Sequence, residues 1–198
     1  MKAMVLAAGR GERLRPLTDR LPKALIEVGG RTLLDRHLDR LEASGVREIV
    51  INAAHLAERI EAHLQAHPRP GLEIALSIEP EALETAGGIA NVIERLGSAP
   101  FLLLNADVYC EIDLAVLCAR PLDRGLAHLV LVPNPKHRPE GDFSLLGDRV
   151  GLGSAPRYTY SGIAVLSPRL VAGISAGGKA KLPTIPPTFR AAASLFRL

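Results

Sequence analysis

Tryptophan is missing from this chain of 198 residues, aromatic residues make up only 4%, and there are two cysteines. Recognition of nucleic acid by base stacking needs aromatic platforms, so the scarcity of rings weighs against that class. Cys110 and Cys118 form no Cys-x-x-Cys pair, and the expectation is two free, buried thiols without a disulfide. Long apolar runs are missing too. None reaches the roughly 20 residues of a membrane-spanning helix. The opening MKAMVLAAGRG has too short an apolar run for a signal peptide and passes straight into glycines. The expectation is a cytoplasmic protein with no membrane partner. One sign of charge is also missing from one end. No Asp or Glu follows Asp148, whereas residues 149–198 hold Arg149, Arg157, Arg169, Lys179, Lys181, Arg190 and Arg197. With a formal net charge of +3, residues 1–148 must then net −4. A basic tail is one way to bind nucleic acid, but these charges are sparse, and no nucleic-acid partner is expected.

What is present is the composition of one globular domain, 47% hydrophobic and 23% charged. Strand-like and helix-like stretches alternate. MVLAA (4–8), REIVIN (47–52), EIALSI (73–78), PFLLLNAD (100–107) and LAHLVLV (126–132) read as strands. TLLDRHLDRLEAS (32–44) sets Leu34, Leu38 and Leu41 at helical spacing, with Thr32 and Asp35 as a start resembling a capping box. AHLAERIEAHL (54–64) places Leu56, Ile60 and Leu64 on one face, and TAGGIANVIERL (85–96) does the same with Ile89, Val92, Ile93 and Leu96. DLAVLCA (113–119) reads as a short helix, 142–152 as a hairpin and YTYSGIAVLS (158–167) as a long strand. The alternation predicts an α/β protein, Rossmann-like, with a mostly parallel sheet flanked by helices. In such sheets ligands sit at the carboxyl ends of the strands. The domain is expected over 1–172. Residues 173–198 are an atypical segment, poorly patterned and interrupted by Pro186 and Pro187.

Residues 6–25, LAAGRGERLRPLTDRLPKAL, follow the first strand with two glycines, four arginines and a lysine. A phosphate-binding Walker loop would need Gly-Lys followed by Ser or Thr, which is not there. A dinucleotide fingerprint would need a third glycine where Leu14 stands. The stretch resembles the signature L-A-A-G-x-G-x-R-x-x-P-L-T-x-x-x-P-K-x-L of the sugar-1-phosphate nucleotidyltransferases, departing only at Ala24, where that family more often has proline. The resemblance continues through LETAGGI (83–89), LLNADV (103–108), GDFSL (141–145) and YSGI (160–163). It is closest to the subgroup of N-acetylmuramate-1-phosphate uridylyltransferases, with hexose-1-phosphate thymidylyl- and guanylyltransferases as alternatives.

The resemblance implies a fold of the nucleotide-diphospho-sugar transferase type. It also implies a reaction joining a nucleoside triphosphate, UTP by the closest subgroup, to a sugar 1-phosphate, N-acetylmuramate 1-phosphate by the same token, with release of pyrophosphate. Elementary chemistry fits. The attacking phosphate is already anionic near pH 7, so the site must supply cations and N–H groups rather than a base. The nucleotide contacts implied are Ala7, Ala8, Gly9, Gly11, Glu12, Arg13 and Lys23, with Gly87 and Gly88 beside the base. Arg13 would grip the leaving pyrophosphate, Lys23 the reacting phosphate, and Asp107 would ligate Mg²⁺ as the single metal ligand. Asn105, Asp142, Ser161 and Gly162 would face the sugar phosphate. Each has a plainer reading as well: solvated charges for Arg13 and Lys23, a turn for Asp107 and Asp142, a helix start capped by Thr85 at the Gly87 pair, and a strand kink at Ser161–Gly162.

Other constellations are weaker. His63 and His67 are spaced i, i+4 as zinc ligands can be, but no third ligand is evident and two solvated histidines are expected. No Gly-x-Ser-x-Gly elbow occurs. The family pattern also fails at one place. A second metal-binding Asp, in a W-x-D-V-G-T segment, has no counterpart among residues 149–198. A truncated or altered C-terminal segment with impaired turnover, or a nucleotide-binding protein without catalysis, is the expectation that follows. The chain is expected to be a monomer or a weak homodimer.

Overall fold

The computed structural model describes residues 1–122, 125–153, 156–182 and, as backbone, 191–195. Eleven strands and five α-helices follow one another in these residues: β1 (Ala3–Leu6), β2 (Glu27–Val28), β3 (Arg31–Thr32), α1 (Leu33–Ala43), β4 (Glu48–Ala53), α2 (Ala57–Ala66), β5 (Glu73–Ile78), α3 (Glu84–Asn91), α4 (Ile93–Leu96), β6 (Phe101–Asn105), α5 (Leu114–Cys118), β7 (Ala127–Val132), β8 (Phe143–Leu146), β9 (Arg149–Gly151), β10 (Arg157–Leu166) and β11 (Ala191–Leu195). Among the described residues, nine strands form one sheet in the order β5-β4-β1-β6-β10-β7-β11-β9-β8, and β2 and β3 form a separate ribbon.

The sheet has two characters. β5, β4, β1 and β6 are parallel neighbours, joined by crossover helices as parallel strands require. β10 enters antiparallel to β6, β7 and β8, and β8–β9 is the hairpin expected from the sequence. β11 pairs parallel with β7, in a stretch that reads as unpatterned. Backbone ladders can recruit a strand that alternation does not mark. Pro186 and Pro187 lie outside the described residues.

Two layers cover the sheet, and period-two alternation assigns the strand residues to them. Val5, Ile49, Ile51, Leu102, Leu104 and Ile163 pack with Leu34, Leu38 and Leu41 of α1, Ile60 of α2 and Leu114 and Leu117 of α5. Met4, Val50, Leu103, Leu131 and Ala164 face the other way, onto Ala86, Ile89 and Ala90 of α3 and Leu96 of α4. A fully buried leucine such as Leu38 contributes about 1.5–3 kcal/mol by transfer alone. Thr32 caps the start of α1: the Asp35 amide donates to Thr32 Oγ1 at 3.0 Å, and the hydroxyl donates to Asp35 Oδ2 at 2.7 Å, so the acid meets the cap's hydroxyl. The helix expected over 85–96 is broken at Val92, whose φ of −118° separates α3 from α4.

Three expectations change. Cys110 and Cys118 are free but half-buried rather than buried, because both sit at the margin of the core. His63 is not solvated: its Nε2 lies 3.0 Å from Asp35 Oδ2, and its ring packs against that of His67 at 4.4 Å between centroids. Residue 172 does not end the packed part of the chain. Ala180 accepts from the amides of Ala86 and Gly87 and donates to Leu83 O, tying 173–182 to α3. No helix among the described residues is long and apolar enough to cross a membrane.

Candidate active site

The carboxyl ends of β1, β4 and β6, with the residue that follows β5, meet at a cleft of about 300 Å³. Its walls include Ala7, Ala8, Gly9, Lys23, Asn105 and Asp107 from the sequence expectation, and Asn52, Glu79, Glu84 and Thr85 besides. The position is the one that open α/β sheets favour for ligands.

After β1 the chain leaves the sheet and closes a loop on itself. Thr18, 1% exposed, donates its hydroxyl to Gly11 O at 2.9 Å. Gly11 has φ +65°, and a Cβ there would sit 2.9 Å from Thr18 Cγ2, so both backbone and packing call for glycine. The Ala7 amide is bound to Asn52 through its carbonyl and its side chain, at 3.1 and 3.0 Å. Beyond it, the amides of residues 8 to 13 donate to no described residue. A run of unsatisfied N–H groups at a sheet edge is an anion site. Arg10 and Arg13 are exposed beside it and form no ion pair among the described residues, and Glu12 is likewise exposed and unpaired.

Lys23, in the short 3-10 turn Lys23–Leu25, ion-pairs with Asp107 across the cleft, with side chains 25% and 35% exposed. Asp107 stands just past β6, two residues after Asn105, the last residue of that strand. No cluster of three or more potential metal ligands exists among the described residues. Mg²⁺ is usually held by one or two carboxylates and completed by phosphate oxygens and water, and the Asp107 carboxylate on the cleft wall is a donor of that kind.

The floor is a network that sequence reading missed. Asn52 Nδ2 donates to Glu79 Oε1 at 2.7 Å, and Glu79 Oε2 accepts from the Leu83 amide at 3.0 Å. Asn52 and Glu79 are each only 2% exposed. The signal was available: an Asn closing the buried run REIVIN, and an acid directly after EIALSI. Glu84, also on the wall, has φ +64°, rare for a residue with a side chain.

Several expected residues lie elsewhere. A Cβ at Gly87 would run into Gly178 O, and at Gly88 it would lie 2.9 Å from Asn52 Nδ2. Both glycines therefore accommodate the protein's own atoms, and neither lines the cleft. Asp142 is committed to the Tyr160 amide, at 2.9 Å, and to Arg138. Ser161 Oγ accepts from the Ile163 amide at 3.3 Å. Gly162, with φ +85°, sits in an irregularity of β10, and a Cβ there would lie 2.8 Å from Asn105 Nδ2. It supports Asn105 from behind.

A parallel half-sheet, an open amide loop and a lysine–carboxylate pair meet at one edge, an arrangement of the kind that binds phosphates. The chain matches the family described as nucleotidyl transferase over residues 2–143, and it belongs to the sugar-1-phosphate nucleotidyltransferases within it. It is 48% identical over 192 residues to the N-acetylmuramate alpha-1-phosphate uridylyltransferase of Neisseria meningitidis serogroup B, a match covering 93% of this chain and 83% of that one. Identity to the enzyme of the same name from Caulobacter vibrioides is 48% over 108 residues, 53% of this chain and 45% of the other. The mannose-1-phosphate guanyltransferase of Neurospora crassa is 39% identical over 122 residues, 60% of this chain and 34% of its own length. In fold, the crystal structure of HddC from Yersinia pseudotuberculosis complexed with GMP-PN matches with a TM-score of 0.79 at 21% identity, covering 100% of this chain and 90% of that one.

Proposed function

We propose that this chain transfers the uridylyl group of UTP to N-acetylmuramate 1-phosphate, in cytoplasmic recycling of cell-wall sugar. The observation that carries the reading is the run of free amides at residues 8 to 13, opening beside Lys23 and Asp107. The identity of 48% over most of the chain to a protein named for that activity supports the choice of substrates.

In this reading the amides and Arg13 hold the β- and γ-phosphates. An oxygen of the sugar phosphate forms a bond to the α-phosphorus of UTP, the bond from that phosphorus to the bridging oxygen breaks, and pyrophosphate leaves with the electron pair. Asp107 would hold Mg²⁺, which when bound would neutralise charge on the phosphates. Lys23, which ion-pairs with Asp107 across the cleft, would meet the α-phosphate. Asn105 presents its amide to the incoming sugar phosphate.

The test is pyrophosphate release from UTP, N-acetylmuramate 1-phosphate and Mg²⁺. Asp107→Ala should abolish it. Release from GTP and mannose 1-phosphate but not from the uridine pair would move the chain to the guanylyl reading, which the guanyltransferase relatives favour.

A further inference from the structure

The side of the Asp107 segment that faces away from the cleft is gripped by α1. Arg40 donates to the carbonyls of Cys110 and Ile112 and reaches Cys110 Sγ at 2.8 Å. One turn earlier, the guanidinium of Arg36 stands 5.5 Å from the centre of the Tyr109 ring, a cation–π distance. Between them His37, 2% exposed, lies against the backbone of Asn105 and Val108, and neither of its ring nitrogens completes a hydrogen bond. Burial, followed by the Arg40 charge, pushes its pKa down to about 4, so the imidazole packs as a neutral group.

Arg40 forms no ion pair among the described residues. Its guanidinium is spent on the carbonyls of Cys110 and Ile112 and on Cys110 Sγ. A cation used this way fixes a loop more than it stabilises a fold, since an acid would have been the stronger partner. The segment is pinned at both ends. Ala106 donates to Leu6 O at 3.0 Å, tying the start to β1, and Arg40 ties residues 110 and 112 to α1. Asp107 stands between these anchors, and among the described residues its carboxylate pairs with Lys23 alone.

We infer that Arg40, with His37 and Arg36 beside it, is a positioning residue that holds the 105–112 backbone so that Asp107 directs its carboxylate towards Lys23 and a phosphate-bound cation. This rests on the proposed role of Asp107. Arg40 does its work through the planar fork, which reaches two carbonyls at once, a geometry that a lysine ammonium cannot reproduce. Loss of such outer partners typically costs roughly 10–100-fold in metal affinity.

The experiment uses the full chain with Arg40→Lys, Arg40→Gln and His37→Gln, each first shown by its melting curve to be folded. Amide hydrogen exchange without ligand is expected to rise roughly tenfold or more across 105–112 in both Arg40 variants, while 33–43 is unchanged. Calorimetric titration of UTP is expected to show the half-saturating Mg²⁺ concentration raised roughly tenfold or more, with UTP affinity in the absence of Mg²⁺ unaltered. Folded Arg40 variants with wild-type exchange and wild-type Mg²⁺ dependence would overturn the inference while leaving the role of Asp107 standing. If UTP binding to the wild-type chain is indifferent both to Mg²⁺ and to Asp107→Ala, the proposed role of Asp107 fails and this inference with it.

Discussion

Two pairs of glycines stand close to one cleft, one in a loop beside it and one in a packed seam. Gly9 and Gly11 belong to a loop in which the amides of residues 8 to 13 donate to no described residue; nothing lies within 4 Å of where a Cβ of Gly9 would be, whereas one at Gly11 would meet Thr18. Gly87 and Gly88 look equally permissive in LETAGGI, yet the protein's own chain fills the space beside them: Gly178 O against one, Asn52 Nδ2 against the other. The difference teaches that a glycine pair in a motif announces a close approach without saying what approaches. Beside Gly9 the space is open; beside Gly87 and Gly88 it is the seam between α3, the Asn52–Glu79 floor and residues 178–180.

The largest effect should come from the open side. Lys23→Ala removes the cation facing Asp107 and is expected to lower turnover by roughly 10²–10³, the range for losing one charge-stabilising donor; pyrophosphate release at saturating UTP measures it. An undiminished rate would mean that this wall is not where charge develops. Next is the neutral histidine behind that wall. An unfolded imidazole titrates near 6.5 and His37 near about 4. The folded state therefore binds fewer protons between those values, and its stability is complete above pH 6.5 and drains away as pH falls towards 4. A gap of that size is worth about 3 kcal/mol. Melting curves from pH 7 to 5 should show the decline in the wild type and flatten in His37→Gln; equal curves would remove His37 as the cause.

A smaller loss is expected on the filled side. Gly87→Ala must displace Gly178 and the bonds to Ala180, for a cost of about 1–3 kcal/mol, seen as a lower melting temperature and faster proteolysis within 173–182. The smallest change in stability belongs to Gly9→Ala, within about 0.5 kcal/mol, because its Cβ points into open space. That substitution should weaken UTP binding all the same. If Gly87→Ala proved silent and Gly9→Ala unfolded the protein, the contrast between the two glycine pairs would be reversed.

Much of the fold was legible from alternation. The strands at 73–78 and 100–107 and the capped start of α1 follow from apolar periodicity and from Thr32 and Asp35, which are local signals. The lining of the cleft was legible where its residues are contiguous: Ala7, Ala8, Gly9 and Lys23 come from one stretch, and Asn105 and Asp107 from the end of β6. It was not legible where burial decides the outcome. His63 reads as a surface histidine until α1 brings Asp35 beneath it, and Asn52 and Glu79 carry no motif. Asp142 lies in a family-like stretch, but Arg138 and the Tyr160 amide claim its carboxylate.

By itself the sequence determined the local conformations and the chemistry they carry: two periodicities, a glycine loop forced open by its own backbone, and a lysine and an acid at strand ends. Those depend on neighbours in the chain. Only the tertiary structure decided which polar groups remain free. An amide, an arginine or a carboxylate is available to a ligand when no other part of the fold reaches it first, and that depends on contacts between residues far apart in sequence, such as Asn52 with Glu79, Gly87 with Gly178 and Arg40 with Cys110.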